Sequence, residues 1–108
     1  MYIHEWMEYT MELKKAFGIS FRKARKAAGI SQEHFGLISS RTYVSRLERG
    51  LSSVTLEKLD ELAKVIDLHP ASIIIHTYLT QISATSSKNL IEKIIDDLNK
   101  INSWTHSK

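Results

Sequence analysis

The strongest constraint on this chain is its punctuation: Gly29 and Gly50 bracket a stretch with room for two short helices and a turn, and few other breakers interrupt the sequence. A glycine can take the left-handed conformation that ends a helix without the steric cost other residues meet. Upstream of Gly29, the residues Phe17, Phe21 and Ala24 stand four and three apart, the spacing of one helical face, which predicts a first helix. Ser31 is a candidate cap for a second helix over Gln32 to about Ile38, its hydroxyl accepting a first-turn amide, with Phe35 and Ile38 as the buried side. Ser39 and Ser40 then supply a turn and a further cap, and Arg41 to Arg49 run helically into the Gly50 stop.

Downstream the same reading continues. Thr55 caps a fourth helix in which Leu56, Leu59, Leu62, Ala63 and Ile66 form one apolar stripe toward the core. His69 followed by Pro70 fits a cap and a first helical position, where a missing amide proton costs nothing, and a fifth helix runs from Ala71 to Leu79 and on to about Ile82. Residues 83–88 read as a linker, and Leu90, Ile91, Ile94, Ile95, Leu98 and Ile101 line one side of a sixth helix. At the other end, Ile3, Trp6, Met7 and Met11 make a helical stripe of their own. The expected architecture is all-α: an N-terminal helical extension over 1–13, a five-helix domain over 14–82, a linker over 83–88 and a C-terminal helix over 89–108.

Composition narrows the function classes. An apolar share of 43% and a charged share of 25% are those of a globular protein, and no tract of 18 or more apolar residues is present to span a bilayer. With no cysteine, disulfides, iron-sulfur clusters and thiolate zinc sites are excluded. The five histidines, at 4, 34, 69, 76 and 106, never form an i, i+4 helical pair, so no metal site is expected. No serine sits in a strained glycine-flanked turn and no glycine-rich phosphate loop occurs, so neither an enzyme nor a cofactor is expected. Residues 1–13 carry Glu5, Glu8 and Glu12 and no Lys or Arg, the reverse of a secretory leader, which points to the cytoplasm.

Charge is distributed unevenly. The net charge is +3, yet residues 14–50 alone carry nine cations against Glu33 and Glu48, or +7, leaving −4 for the remainder. A basic segment of this kind attracts a polyanion, although a solvated surface has the same composition. The third helix decides between them. Val44 and Leu47, three apart, share its inward face. Arg41, Ser45 and Arg49 form one outward row, and Thr42 with Arg46 the adjacent one. Arginine can present a two-pronged donor to guanine O6 and N7, and threonine can bond a base edge or touch a thymine methyl, so this face has the chemistry of major-groove reading.

The run from Gly29 to Gly50, with Gly-Ile-Ser-Gln-Glu at its start and Ser-Arg-Thr-Tyr-Val-Ser-Arg-Leu-Glu-Arg-Gly at its end, resembles the lambda-repressor-like, or Xre, helix-turn-helix family. Thr-Leu-Glu-Lys-Leu-Asp-Glu-Leu-Ala-Lys and the His-Pro pair extend the likeness over roughly 14–79. The resemblance implies a five-helix domain with the third helix in the major groove. It implies base contacts from Arg41 and Thr42, joined on the same surface by Ser45 and Arg46. It also implies a phosphate contact from Gln32 at the start of the second helix, with Ser40, Tyr43, Arg49, Ser52 and Ser53 as further phosphate candidates. Arg25 and Glu48 match a family pair that forms an internal ion pair and stays off the DNA. One departure is visible: about two residues are missing around Leu37 to Ser40, so the second helix is expected to be shortened by about half a turn.

The function these readings imply is sequence-specific binding of double-stranded DNA by a transcriptional regulator, a repressor in the first instance. Ile91, Ile94, Leu98 and Ile101 alternate spacings of three and four, the period of a coiled-coil seam, which points to a homodimer on a near-palindromic operator. The alternative is a protein-interaction adaptor or antitoxin-like protein that binds a partner on the same scaffold.

Overall fold

The computed structural model describes residues 11–82 and 87–104. The stripe positions Ile3, Trp6 and Met7, the linker positions 83–86, and His4 and His106 lie outside the described residues. Among the described residues the elements are helices: α1 Leu13–Ala27, a 3-10 helix η1 Gln32–Phe35, α2 Arg41–Glu48, α3 Leu56–Val65, α4 Pro70–Gln81 and α5 Ser87–Asn102. None of these helices is long and apolar enough to cross a membrane.

Helix ends follow local chemistry. Gly29 and Gly50 take φ of +72° and +74°, and their amides bond back to Lys26 O and Leu47 O. Ser40 Oγ accepts from Tyr43 N at 3.1 Å, Thr55 Oγ1 from Lys58 N at 3.0 Å, and His69 Nδ1 from Ala71 N at 3.0 Å just ahead of Pro70. Each of these bonds satisfies a first-turn amide that has no partner inside its own helix.

Phe17 and Phe21 of α1, Phe35 of η1, Val44 and Leu47 of α2, Leu59, Leu62, Ala63 and Ile66 at α3, and Ile73 of α4 make one core. Phe21 stands at its middle, with ring centroids 5.9 Å from Phe17 and 5.6 Å from Phe35. α1 packs against both α4 and α2. The backbone of the site therefore rests on a helix whose buried face serves two partners.

Four expectations about elements change. The second helix is a single 3-10 turn rather than a trimmed α-helix, with His34 N bonded to Ser31 O at 3.1 Å and Gly36 N to Glu33 O at 3.0 Å. A 3-10 helix rises about 2.0 Å per residue against 1.5 Å for an α-helix, so a segment short of residues covers more of the same gap. Ser31 precedes that turn but makes no side-chain cap bond. Leu56, placed on the buried stripe by its spacing, is 74% exposed: as the first residue of α3 it projects over a surface groove instead of into the core. α5 begins at Ser87, inside the segment read as linker. It is held at its start, where Leu90 packs with Ile82, Leu79 and Ile94, while Ile91, Ile95, Leu98 and Ile101 remain exposed.

Candidate nucleic-acid interface

α2 is fixed from behind before it presents anything in front. Val44 and Leu47 are fully buried, which sets the rotation of the helix about its axis. Its C-terminal end lies hard against α1 at Gly18, where a Cβ would fall 2.6 Å from both the Leu47 and Glu48 carbonyl oxygens. Only a residue without a side chain permits that approach, which explains a glycine in a helix interior.

Beside this junction sits a buried polar cluster. Arg25 Nε meets Glu48 Oε2 at 2.6 Å and its Nη2 donates to Oε1 at 2.9 Å, while Nη1 donates to the Ile30 carbonyl at 2.9 Å. The two side chains retain 9% and 3% of their exposure. Hydrogen bonding to Glu48 outweighs burial and raises the Arg25 guanidinium above its ordinary value, so the guanidinium keeps its charge where it is buried. Gln32 completes the cluster by donating Nε2 to Glu48 Oε1 at 3.0 Å. One carboxylate thus ties α1, the start of η1 and the end of α2 together.

The opposite face of α2 is open. Arg41, Thr42, Arg46 and Arg49 are exposed and Ser45 is half-buried between them. Arg41 Nε lies 3.1 Å from Glu33 Oε2, both groups well exposed, so the contact is screened by water and readily exchanged. Arg46 turns toward the following loop, its Nε donating to Ser52 Oγ at 3.0 Å and Nη2 to the Leu51 carbonyl at 3.2 Å. Tyr43 OH donates to the Ser53 carbonyl at 3.2 Å, and Arg49 Nε to Ser45 O at 3.4 Å. Ser40, at the cap of α2, is exposed.

The structure therefore gathers Arg41, Thr42, Ser45, Arg46, Arg49 and the 52–53 loop onto one surface, with Gln32 at its rear edge turned to Glu48. Arg25 and Glu48 lie behind it, and Ile91, Ile94, Leu98 and Ile101 lie on a separate element. Sequence reasoning missed Glu33 as the partner of Arg41, for which no local periodicity gives a signal. It also missed Lys58, whose Nζ donates to the Ile38 carbonyl at 2.6 Å and anchors the shortened turn to α3. Gly18 did carry a signal, since a glycine within a helical run marks a close backbone approach. Among the described residues no three His, Asp or Glu side chains converge as a metal site would require.

A 3-10 turn followed by a helix with one face in the core and one exposed, arginine-bearing face is an arrangement suited to a DNA-reading module. A model of the helix-turn-helix family matches residues 21–73, spanning the second half of α1 through the first turn of α4. The restriction-modification controller protein C.AhdI from Aeromonas hydrophila is similar, at 34% identity and a TM-score of 0.52 over 55% of this chain and 92% of that one. Two structures of the clp gene regulator ClgR from Corynebacterium glutamicum share the fold at 24% identity. Their TM-scores are 0.61 over 68% of this chain and 96% of that one, and 0.59 over 91% and 98%. No curated protein sequence matches the chain. The chain belongs to the helix-turn-helix family, the lambda-repressor-like class of DNA-binding transcription regulators.

Proposed function

We propose that the protein is a cytoplasmic repressor that binds a near-palindromic DNA operator as a homodimer, laying α2 in the major groove. The observation that carries this reading is the two-sidedness of α2. Behind, Val44, Leu47 and the Arg25–Glu48–Gln32 cluster hold it rigidly; in front, Arg41, Thr42, Ser45 and Arg46 are presented with no apolar cover. Arg41 and Thr42, in the first turn, read base edges; Arg41 exchanges the exposed Glu33 for guanine O6 and N7. Arg46 exchanges its bonds to the loop for a base edge in the same way. Ser40, Tyr43, Arg49, Ser52 and Ser53 lie on the flanks of the helix, where phosphates pass, and position it without reading sequence. Gln32 uses one amide proton on Glu48, and its second is available to a phosphate.

The exposed stripe of α5 supports self-association. Leu98 and Ile101 are 53% and 67% exposed, and a second copy of the same stripe would cover them. Two recognition helices related by a two-fold axis meet half-sites about 34 Å apart, one turn of duplex. The neighbours named as a gene regulator and a controller protein agree with a regulatory role.

Selection of duplexes from a random pool, followed by titration of the winner at several salt concentrations, tests the reading. Log affinity falls linearly with log salt where phosphates are contacted. Arg41→Ala costs about 1–3 kcal/mol at one base position and relaxes preference there, with a smaller, sequence-independent loss on random duplex from the missing charge. Equal affinity of the parent for the selected and random duplexes refutes the proposal.

A further inference from the structure

A groove of about 380 Å³ opens between α1, α3, α4 and the loop before α3. Leu13 and Phe17 of α1, Val54 of the loop, Leu56 of α3, and Ile74 and Tyr78 of α4 form its largely apolar walls. Its rim is unusual for a surface: Leu13, Leu56 and Tyr78 are all exposed and all border the same hollow. Isolated exposed leucines need no explanation, but three large apolar residues around one concavity mark a docking site.

We propose that the groove seats the chain's own N-terminal segment, residues 1–10, with Trp6 as the inserted side chain. Position favours this occupant. Leu13 is both the first residue of α1 and part of the groove wall, so the chain reaches α1 at the groove's edge, and Met11 just before it is already half-buried. At about 3.3 Å per extended residue, or 1.5 Å if helical, Met7 and Trp6 are within reach of the far wall without any long crossing. The apolar pattern of the segment fits as well. Ile3, Trp6 and Met7 continue the spacing of Met11 and give the segment one apolar face that matches the groove in character. Charge is complementary: the segment carries Glu5 and Glu8 and no Lys or Arg, while Lys14 stands in the groove wall. A tethered segment also meets its groove at a millimolar effective concentration, which favours the same chain over a second copy.

The chain has two tryptophans and no cysteine, so the test is clean. In full-length Trp104→Phe protein Trp6 is the sole indole reporter. Docking gives it blue-shifted emission and several-fold weaker acrylamide quenching than in urea, independent of protein concentration. Adding Leu56→Asp, an exposed first-turn position of α3 where an acid suits the helix dipole, moves emission to the red and restores quenching with the circular dichroism unchanged. Separately, Met7→Cys with Leu56→Cys forms an intrachain disulfide in the monomer under mild oxidation. Trp6 emission equal to that of the unfolded chain overturns the proposal, as does emission unmoved by Leu56→Asp together with no intrachain crosslink. A blue shift or crosslink that appears only at high concentration also overturns it, since the occupant is then a second copy.

Discussion

Glu48→Gln removes one charge while keeping the shape of the side chain, and it tests whether the buried cluster is what holds α2 in place. In the parent, Arg25 retains 9% of its side-chain exposure and spends two of its donors on Glu48. The glutamine amide can still accept one hydrogen bond but presents its NH2 group where the guanidinium expects the second oxygen. An uncompensated buried cation costs about 3–5 kcal/mol, and the surviving bond to the Ile30 carbonyl favours the lower end, about 3 kcal/mol. The weakened Gln32 bond belongs to the same cluster and is not added separately. For a domain of this size each kcal/mol moves the melting temperature by about 4–8 °C, so a drop of about 12–24 °C follows. Replacing both partners, Arg25→Met with Glu48→Met, removes the charge problem along with the pair, and most of the loss returns. Urea unfolding followed by circular dichroism, with the slope checked for constancy, measures all three variants. A Glu48→Gln protein within about 1 kcal/mol of the parent refutes the reasoning, because the charge would then not be uncompensated in the fold.

Gly18→Ala sets a helix-propensity gain of about 1 kcal/mol against overpacking of about 1–3 kcal/mol on the Leu47 and Glu48 carbonyls. The expected net loss is about 1 kcal/mol with weaker DNA binding as α2 is pushed outward, and a more stable, fully binding variant contradicts the close approach. Thr55→Ala removes the cap on α3 and costs about 1 kcal/mol in thermal unfolding, whereas Thr55→Ser, which keeps the acceptor, stays near the parent. Leu98→Lys with Ile101→Lys yields monomers by sedimentation at concentrations where the parent is dimeric, while unfolding of the core is little changed. A monomeric parent in the same experiment disposes of the α5 interface.

How much was legible in advance divides by the range of the forces involved. The ends of helices were readable because a cap acts within three residues of itself: Ser40, Thr55 and the His69–Pro70 pair bond amides one turn away, and Gly29 and Gly50 turn the chain where they stand. The inward pair Val44 and Leu47 was readable for a related reason, since a period of 3.6 assigns both faces of a helix at once. The Arg25–Glu48 pairing, 23 residues apart, came from family likeness and could not have come from periodicity.

The amino-acid sequence by itself therefore determined the starts of α2, α3 and α4, the glycine stops after α1 and α2, and which face of Arg41–Glu48 is polar. Tertiary structure alone decided the rest. It converted the short second helix to a 3-10 turn, exposed Leu56, turned Arg46 onto Ser52 and Leu51, and placed Glu33 beside Arg41. In each case the outcome depends on which side chain or loop stands opposite the residue in space, a quantity that the period of a single helix does not encode. The glycine punctuation fixes the lengths of the pieces; their packing around Phe21 and the approach of α1 to α2 at Gly18 determine what the polar face of α2 can meet.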